Sequence, residues 1–142
     1  MSWLLDTCVL SEYVKRAPDA TVIGWLDAQV EAQLFISALS LAELERGVVK
    51  MQLQDARRGR RLAQWLSRLE QRFAERCFPL DRAVLRVWAQ CSAHAELAGQ
   101  RLATADALLM ATAQCHGLTV VTRNVRDFAR YPLVFNPWVA EA

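Results

Sequence analysis

The sequence predicts an α/β fold in which a central parallel β-sheet carries helices on both faces. Three observations point there. Short runs of apolar or β-branched residues, too short for helices, recur along the chain. Amphipathic stretches with apolar residues every three or four positions separate them. No repeat, linker or low-complexity tract interrupts the alternation, and strands that alternate with helices imply a parallel sheet covered on both sides. The chain has 142 residues, the size of one ordinary domain, so residues 1–142 read as a single unit.

The elements follow in order. Trp3-Leu4-Leu5 is a short apolar run that stops at Asp6 and reads as a buried strand. Leu10 to Lys15 carries helix formers. Pro18 and Asp19 break the chain and open a second helix, with Val22, Ile23, Leu26 and Val30 on one face. Leu34-Phe35-Ile36, within Gln33 to Ser37, is a second strand. Ser40 opens a helix through Val49. A longer helix covers about Ala56 to Glu75, with Leu62, Trp65, Leu66, Leu69 and Phe73 at helical spacing. Cys77 to Leu80 is a third strand. Asp81 caps a helix bearing Val84, Val87, Trp88 and Cys91, which Gly99 ends. Thr104 caps the next, which Gly117 stops. Leu118 to Thr122, rich in β-branched residues, is the clearest strand. A turn or short helix spans Val125 to Arg130, and Leu133 to Phe135 forms a last strand that Pro137 ends.

Composition excludes several classes. Apolar residues make up 54%, too many for a disordered chain. No stretch has the length of an apolar membrane span. Asp6 interrupts the N-terminus before a signal-peptide core can form. The expectation is a soluble, cytoplasmic protein with no membrane partner. Cys8, Cys77, Cys91 and Cys115 are scattered, and only His94 and His116 could assist them, which argues against structural zinc and for reduced thiols. The net charge of +2 is unevenly spread. Eight basic residues between Lys50 and Arg76 face three acids, leaving +5 on that segment and −3 on the remainder. Such a segment is either a polyanion-facing surface or a solvated helix face.

The acids are the informative residues. In an open parallel sheet, ligands bind beyond the carboxyl ends of the strands, where the strand order reverses. Asp6 ends the first strand, and Asn124 and Asp127 follow the Val120-Val121 strand, so these groups converge if the two strands are neighbours. Asp106 sits in Ala103 to Ala113, a helix apolar on nearly every side. A buried carboxylate there needs a partner, a proton or a metal; a first-turn acid favoured by the helix dipole is the plainer reading. Glu43 completes Ser40-Leu41-Ala42-Glu43, a capping-box pattern, yet it falls between Leu41 and Leu44, toward the buried face. Carboxylates gathered this way repel unless a cation compensates. Hard oxygen donors select Mg²⁺ or Mn²⁺, and such a site can activate water against a phosphodiester. An aspartyl-phosphate mechanism would want a second acid two residues after Asp6, where Cys8 stands.

These residues resemble a known family. Leu4-Leu5-Asp6-Thr7, Ser40 to Leu44, Ala105 to Ala113 and Thr122 to Phe128 look like the conserved blocks of PIN-domain ribonucleases, and more narrowly of the VapC-type toxins. Val134-Phe135-Asn136-Pro137-Trp138 is similar to the FitB-like subgroup. The resemblance runs from about Trp3 to Trp138. It implies a PIN-like central parallel sheet, a homodimer, and Mg²⁺- or Mn²⁺-dependent endonucleolytic cleavage of RNA, blocked by a cognate VapB-like antitoxin. Carried over by position, Asp6 and Asp106 hold the metal and Glu43 completes the acidic pocket. The family's fourth acid falls at Asn124, with Asp127 about one helical turn later, and either can take that role. Cys8 stands where many relatives carry Asn: it either fills space or faces the metal. Thr7 and Thr104 are candidates to hydrogen-bond the carboxylates, and Arg57, Arg58, Arg60 and Arg61 to hold the RNA backbone. The alternative is a module of the same fold that binds RNA or protein without cleaving it.

Overall fold

In the computed structural model, which describes residues 1–139, the chain alternates strands and helices. These are β1 (Trp3–Leu5), α1 (Thr7–Ser11), α2 (Ala20–Ala28), β2 (Leu34–Ser37), α3 (Ala38–Gln54), α4 (Ala56–Arg72), β3 (Cys77–Phe78), α5 (Arg82–Leu97), α6 (Thr104–His116), β4 (Thr119–Val121) and β5 (Val134–Phe135). Single 3-10 turns cover Glu12–Val14, Glu31–Gln33 and Val125–Phe128.

All five strands run parallel, in the order β3-β2-β1-β4-β5. From β1 the chain moves outward through β2 and β3, then returns to lay β4 and β5 on the other flank. The order therefore reverses between β1 and β4, where Leu5 lies beside Val121. A parallel sheet of this kind offers its binding crevice at that reversal.

The strand pleat divides the core. Leu5 and Val121 point into a cluster with Val9, Leu10, Val22, Leu44, Leu66 and Phe73, so α1 to α4 cover one face. Leu4 and Val120 point the other way, onto Leu109, Met110, Ala113 and Phe128. There α6 packs on the sheet through small residues, with Ala107, Ala111 and Ala113 all buried. The helix stops at Gly117, whose φ of +66° is left-handed and favours glycine.

Local chemistry corrects three expectations. The third helix begins at Ala38 rather than Ser40, because Ser37 accepts the Leu39 N–H and caps it. Ser40 then lies buried inside the first turn and cannot form the capping box. Thr104 does not cap α6: the cap position is Ala103, which has no side-chain oxygen to offer. The basic segment is also less free than its charge suggests. Arg72 makes a forked pair with Glu31, at 2.6 and 2.8 Å, and Arg76 binds the same carboxylate at 2.9 Å. The two guanidiniums hold Glu31 down to about 2, Arg72 contributing most. Both cover the buried Phe73 ring, 5.1 and 4.6 Å from its centre.

The α3–α4 hairpin is close-packed at Gly59. A Cβ there would stand 2.5 Å from Gln52 Cα, so only glycine fits. Among the described residues no helix is long and apolar enough to cross a membrane.

Candidate active site

Asp6 is the most firmly held of the acids. Its backbone N–H donates to Val121 O at 3.0 Å, tying it to both central strands. Its carbonyl receives the Val9 and Leu10 N–H groups and so starts α1. The carboxylate caps that helix, Oδ1 accepting from the Thr7 N–H at 2.7 Å. Oδ2 accepts from Thr122 Oγ1 at 2.8 Å and from the Cys8 thiol at 3.7 Å. Both oxygens are thereby aimed by donors fixed in the sheet and the first helical turn.

The part Thr122 plays toward Asp6 was not read from the sequence. It is fully buried one residue past β4. Its Oγ1 accepts the Asn124 N–H at 3.0 Å, which leaves the hydroxyl hydrogen for Asp6. One threonine thus orients the carboxylate and shapes the turn after β4. The sequence signal was its place beside Val120-Val121, where a threonine otherwise reads as one more strand residue.

Glu43 does not reach back to cap its own helix. Thr7 Oγ1 donates to Glu43 Oε1 at 3.0 Å, bridging α1 and α3 beside Asp6. Thr7 therefore contacts two acids, one through its backbone and one through its hydroxyl.

Asp106 lies in the first turn of α6 and is partly buried, less so than its apolar neighbours predict. Loss of water, followed by the charges of Asp127, Asp6 and Glu43, raises its carboxyl from 3.8 to about 6. Four segments remote in sequence thus bring carboxylates within electrical reach of one another. Asp127 exerts the largest of the three charge effects on Asp106. The two acids also line one cleft, which Asn124 does not enter. The main chain of Asn124 shapes the turn: its N–H donates to Thr122 Oγ1, and its carbonyl accepts the Asp127 N–H at 3.0 Å.

The Cys8 thiol touches the site, since it lies 3.7 Å from both Asp6 Oδ2 and Thr122 Oγ1. Burial, then the Asp6 charge, pushes its pKa up. It is a neutral donor to the carboxylate, and a neutral thiol is a poor metal ligand. The histidines stand elsewhere. His94 is exposed on α5. His116 stacks on Phe78, ring centres 3.8 Å apart, at the end of α6 opposite Asp106.

Among the described residues no three of His, Cys, Asp and Glu are drawn tightly enough together to enclose an ion by themselves. Two oriented carboxylates with two more acids at the rim suit a hard ion that keeps several waters and takes one or two carboxylates. Zinc, which favours cysteine and histidine ligands, suits this all-carboxylate donor set less well.

Comparison with known proteins finds relatives along nearly the whole chain. The family model described as PIN domain matches residues 3–133. Toxin FitB of Neisseria gonorrhoeae is 38% identical over 140 residues, covering 95% of this chain and 97% of that protein. The VapC ribonuclease Y4jK of Sinorhizobium fredii is 36% identical, covering 95% and 96%. The crystal structure of FitAcB from Neisseria gonorrhoeae superposes with a TM-score of 0.89 at 36% identity, over 97% of this chain and 99% of that one.

Proposed function

The chain belongs to the PIN domain family, and on that premise we propose that it is a divalent-metal-dependent endoribonuclease, the toxin of a toxin–antitoxin pair. The single observation that carries the reading is the gathering of Asp6, Glu43, Asp106 and Asp127 at the reversal point of the sheet, with Asp106 held near 6 by burial and its neighbours' charge. Acids from four segments converge where a cation is wanted. The likeness to Toxin FitB and to a VapC ribonuclease, each over more than nine-tenths of this chain, supports the same chemistry.

Asp6 and Asp106 are the residues to hold the ion, Mg²⁺ with Mn²⁺ as a substitute. When bound, the ion offsets the shared negative charge, lowers the pKa of the attacking water and stabilises charge developing on the phosphate. The chain's own residues do the positioning. The Thr122 hydroxyl and the Thr7 N–H each hold one oxygen of the Asp6 carboxylate. Glu43, steadied by Thr7, accepts a proton from water or orients it for in-line attack. Asp127, rather than Asn124, fills the fourth acidic position. The scissile P–O bond breaks as the water oxygen bonds to phosphorus, and the leaving oxygen takes a proton from solvent.

The partners that follow are RNA as substrate, a FitA- or VapB-like antitoxin as inhibitor and a second copy of the chain. Solved relatives include the FitAcB structure and a toxin–antitoxin complex from Klebsiella pneumoniae. The test is cleavage of total RNA by purified protein with Mg²⁺, with Mn²⁺ and with a chelator, beside Asp6→Asn and Asp106→Asn. Cleavage is expected only with metal and only with both acids intact. Cutting that persists in chelator or in both variants overturns the proposal. RNA binding with no metal-dependent cutting by the unaltered chain identifies a binding module instead.

A further inference from the structure

A second feature adjoins the acids. A cleft of about 320 Å³ opens on the flank of Asp106 and Asp127. Its other walls come from the segment joining α5 to α6, with Gln100 and Arg101, and from the 3-10 turn after β4 and its exit, with Arg126 and Arg130. Three arginines thus share one cleft with two of the four clustered carboxylates. Among the described residues none of the three lies within ion-pair distance of Asp106, Asp127 or any other acid; the pairs that exist involve Lys15, Arg72 and Arg76. Arginines placed to neutralise the acids would be paired with them. Among the described residues these three line the cleft without an ion-pair partner.

One of them is positioned. Arg130 Nη1 donates to Gln100 Oε1 at 2.6 Å, which links the two walls. A forked guanidinium matches the oxygens of a phosphate diester and holds them with direction as well as charge.

Electrostatics requires such a surface. An RNA strand approaching four carboxylates is repelled until it finds compensating cations. The chain has a larger basic groove, of about 670 Å³, lined by Arg16, Arg58, Arg61 and Arg68 with Tyr13 and Trp65. That groove shares no lining residue with the acidic site, whereas the smaller cleft shares two. Phosphates next to the reacting one lie within a nucleotide of it, so the cleft that touches the acids is the one they reach.

We propose that this cleft is a phosphate subsite for the RNA strand: Arg101, Arg126 and Arg130 bind backbone phosphates adjoining the scissile one, and Gln100 holds Arg130 in place. The inference rests on the endoribonuclease reading and extends it by naming where the strand lies. Contacts of this kind supply affinity and register rather than base choice.

The experiment separates the two ideas. Binding of a fluorescent single-stranded RNA is measured by anisotropy in chelator, where no cleavage is needed, across a salt series. Arg101→Ala, Arg126→Ala, Arg130→Ala and Gln100→Ala are compared with Arg86→Ala, an exposed control on α5, after thermal melts show that each is folded. Each cleft arginine variant is expected to weaken binding about tenfold at low salt and to shallow the salt slope by about 0.7. Lysine in place of each arginine restores the slope and part of the affinity. Gln100→Ala gives a smaller loss with the slope kept. In cleavage assays with Mg²⁺ the same variants lose kcat/KM mainly through KM. Unchanged affinity and slope in all three arginine variants, while the unaltered chain cleaves RNA, overturns the subsite and leaves the nuclease reading standing. Loss of antitoxin binding with RNA binding intact makes the cleft a protein surface and overturns the subsite equally.

Discussion

Replacing Asp106 by Asn should abolish cleavage and yet stabilise the metal-free protein. The carboxyl stands near 6 in the folded chain against an ordinary 3.8, through burial first and then Asp127, Asp6 and Glu43. A carboxyl raised in the native state favours folding most when protonated. Its advantage is complete below about 3.8 and is lost as pH rises through about 6. Taken whole, that interval corresponds to about 3 kcal/mol. Asp106 is only partly buried, so water screens much of the repulsion and about 1 kcal/mol is the working figure. For a chain of this length that shifts the melting temperature by about 3 °C. Asn keeps the shape and removes the charge. In chelator at pH 8, Asp106→Asn should melt about 3 °C above the unaltered chain, and the gap should close as pH falls from 6 to 4. Saturating Mg²⁺ should reverse the order, because tenfold excess over Kd adds about 1.4 kcal/mol to whichever form binds it. Differential scanning calorimetry at pH 4, 6 and 8, with and without Mg²⁺, reads all three effects. If Asp106→Asn melts lower than the unaltered chain in chelator at pH 8, Asp106 is a structural acid and the charge-cluster argument fails.

Three further perturbations test separate links. Thr122→Val removes the hydroxyl that aims Asp6, so activity should fall about 10- to 100-fold while Thr122→Ser keeps it; full activity in the valine variant removes Thr122 from the site. Gly59→Ala forces a Cβ against the Gln52 backbone and should destabilise the α3–α4 hairpin by about 1–3 kcal/mol; an unchanged urea midpoint would contradict that packing. Glu12 is almost fully buried and paired with Lys15 while accepting the Asp19 N–H at 2.9 Å. Burial works to raise its carboxyl, but Lys15 and the Asp19 N–H outweigh it and leave it lowered. Its stabilisation is therefore present above about 4.5 and lost as pH falls through the lower native value. Glu12→Gln should lower the melting temperature at pH 7 and leave it nearly unchanged near pH 3; an equal loss at both would refute the ionic origin.

Much of the architecture was legible because it rests on local pattern. Trp3 to Leu5 and Leu118 to Val121 are too short and too apolar for surface helices, and the Asp19, Asp81 and Gly117 signals sit where the helices start and stop. That Asp6, Asn124 and Asp127 follow neighbouring strands was readable once β1 and β4 were taken as adjacent, and the register bears out that adjacency. Two misreadings share a cause. Ser40 lies three residues past the true cap, Ser37, and Thr104 one residue past Ala103, and local pattern cannot show at which residue the backbone turns helical. Glu43 turned to Thr7 because α1 stands beside α3, a tertiary fact. Glu12 and Thr122 were missed for the same reason: each has its partner or its burial set by a chain segment its own neighbours do not predict.

The departure at Cys8 also takes on a definite weight. An amide at that position would offer Asp6 a strong donor, and a thiol offers a weak one. The short contact to Asp6 Oδ2 comes instead from Thr122, 2.8 Å against 3.7 Å for the thiol. The acid is anchored across the sheet, from the residue after β4, as well as at the start of its own helix. Since the Thr7 N–H fixes the other oxygen, Asp6 keeps two strong donors whatever residue 8 is. The orientation of Asp6 therefore depends on the pairing of β1 with β4, the same pairing that creates the crevice. Fold and site are coupled at that point, so a change that loosens β4 should weaken metal binding before it unfolds the chain.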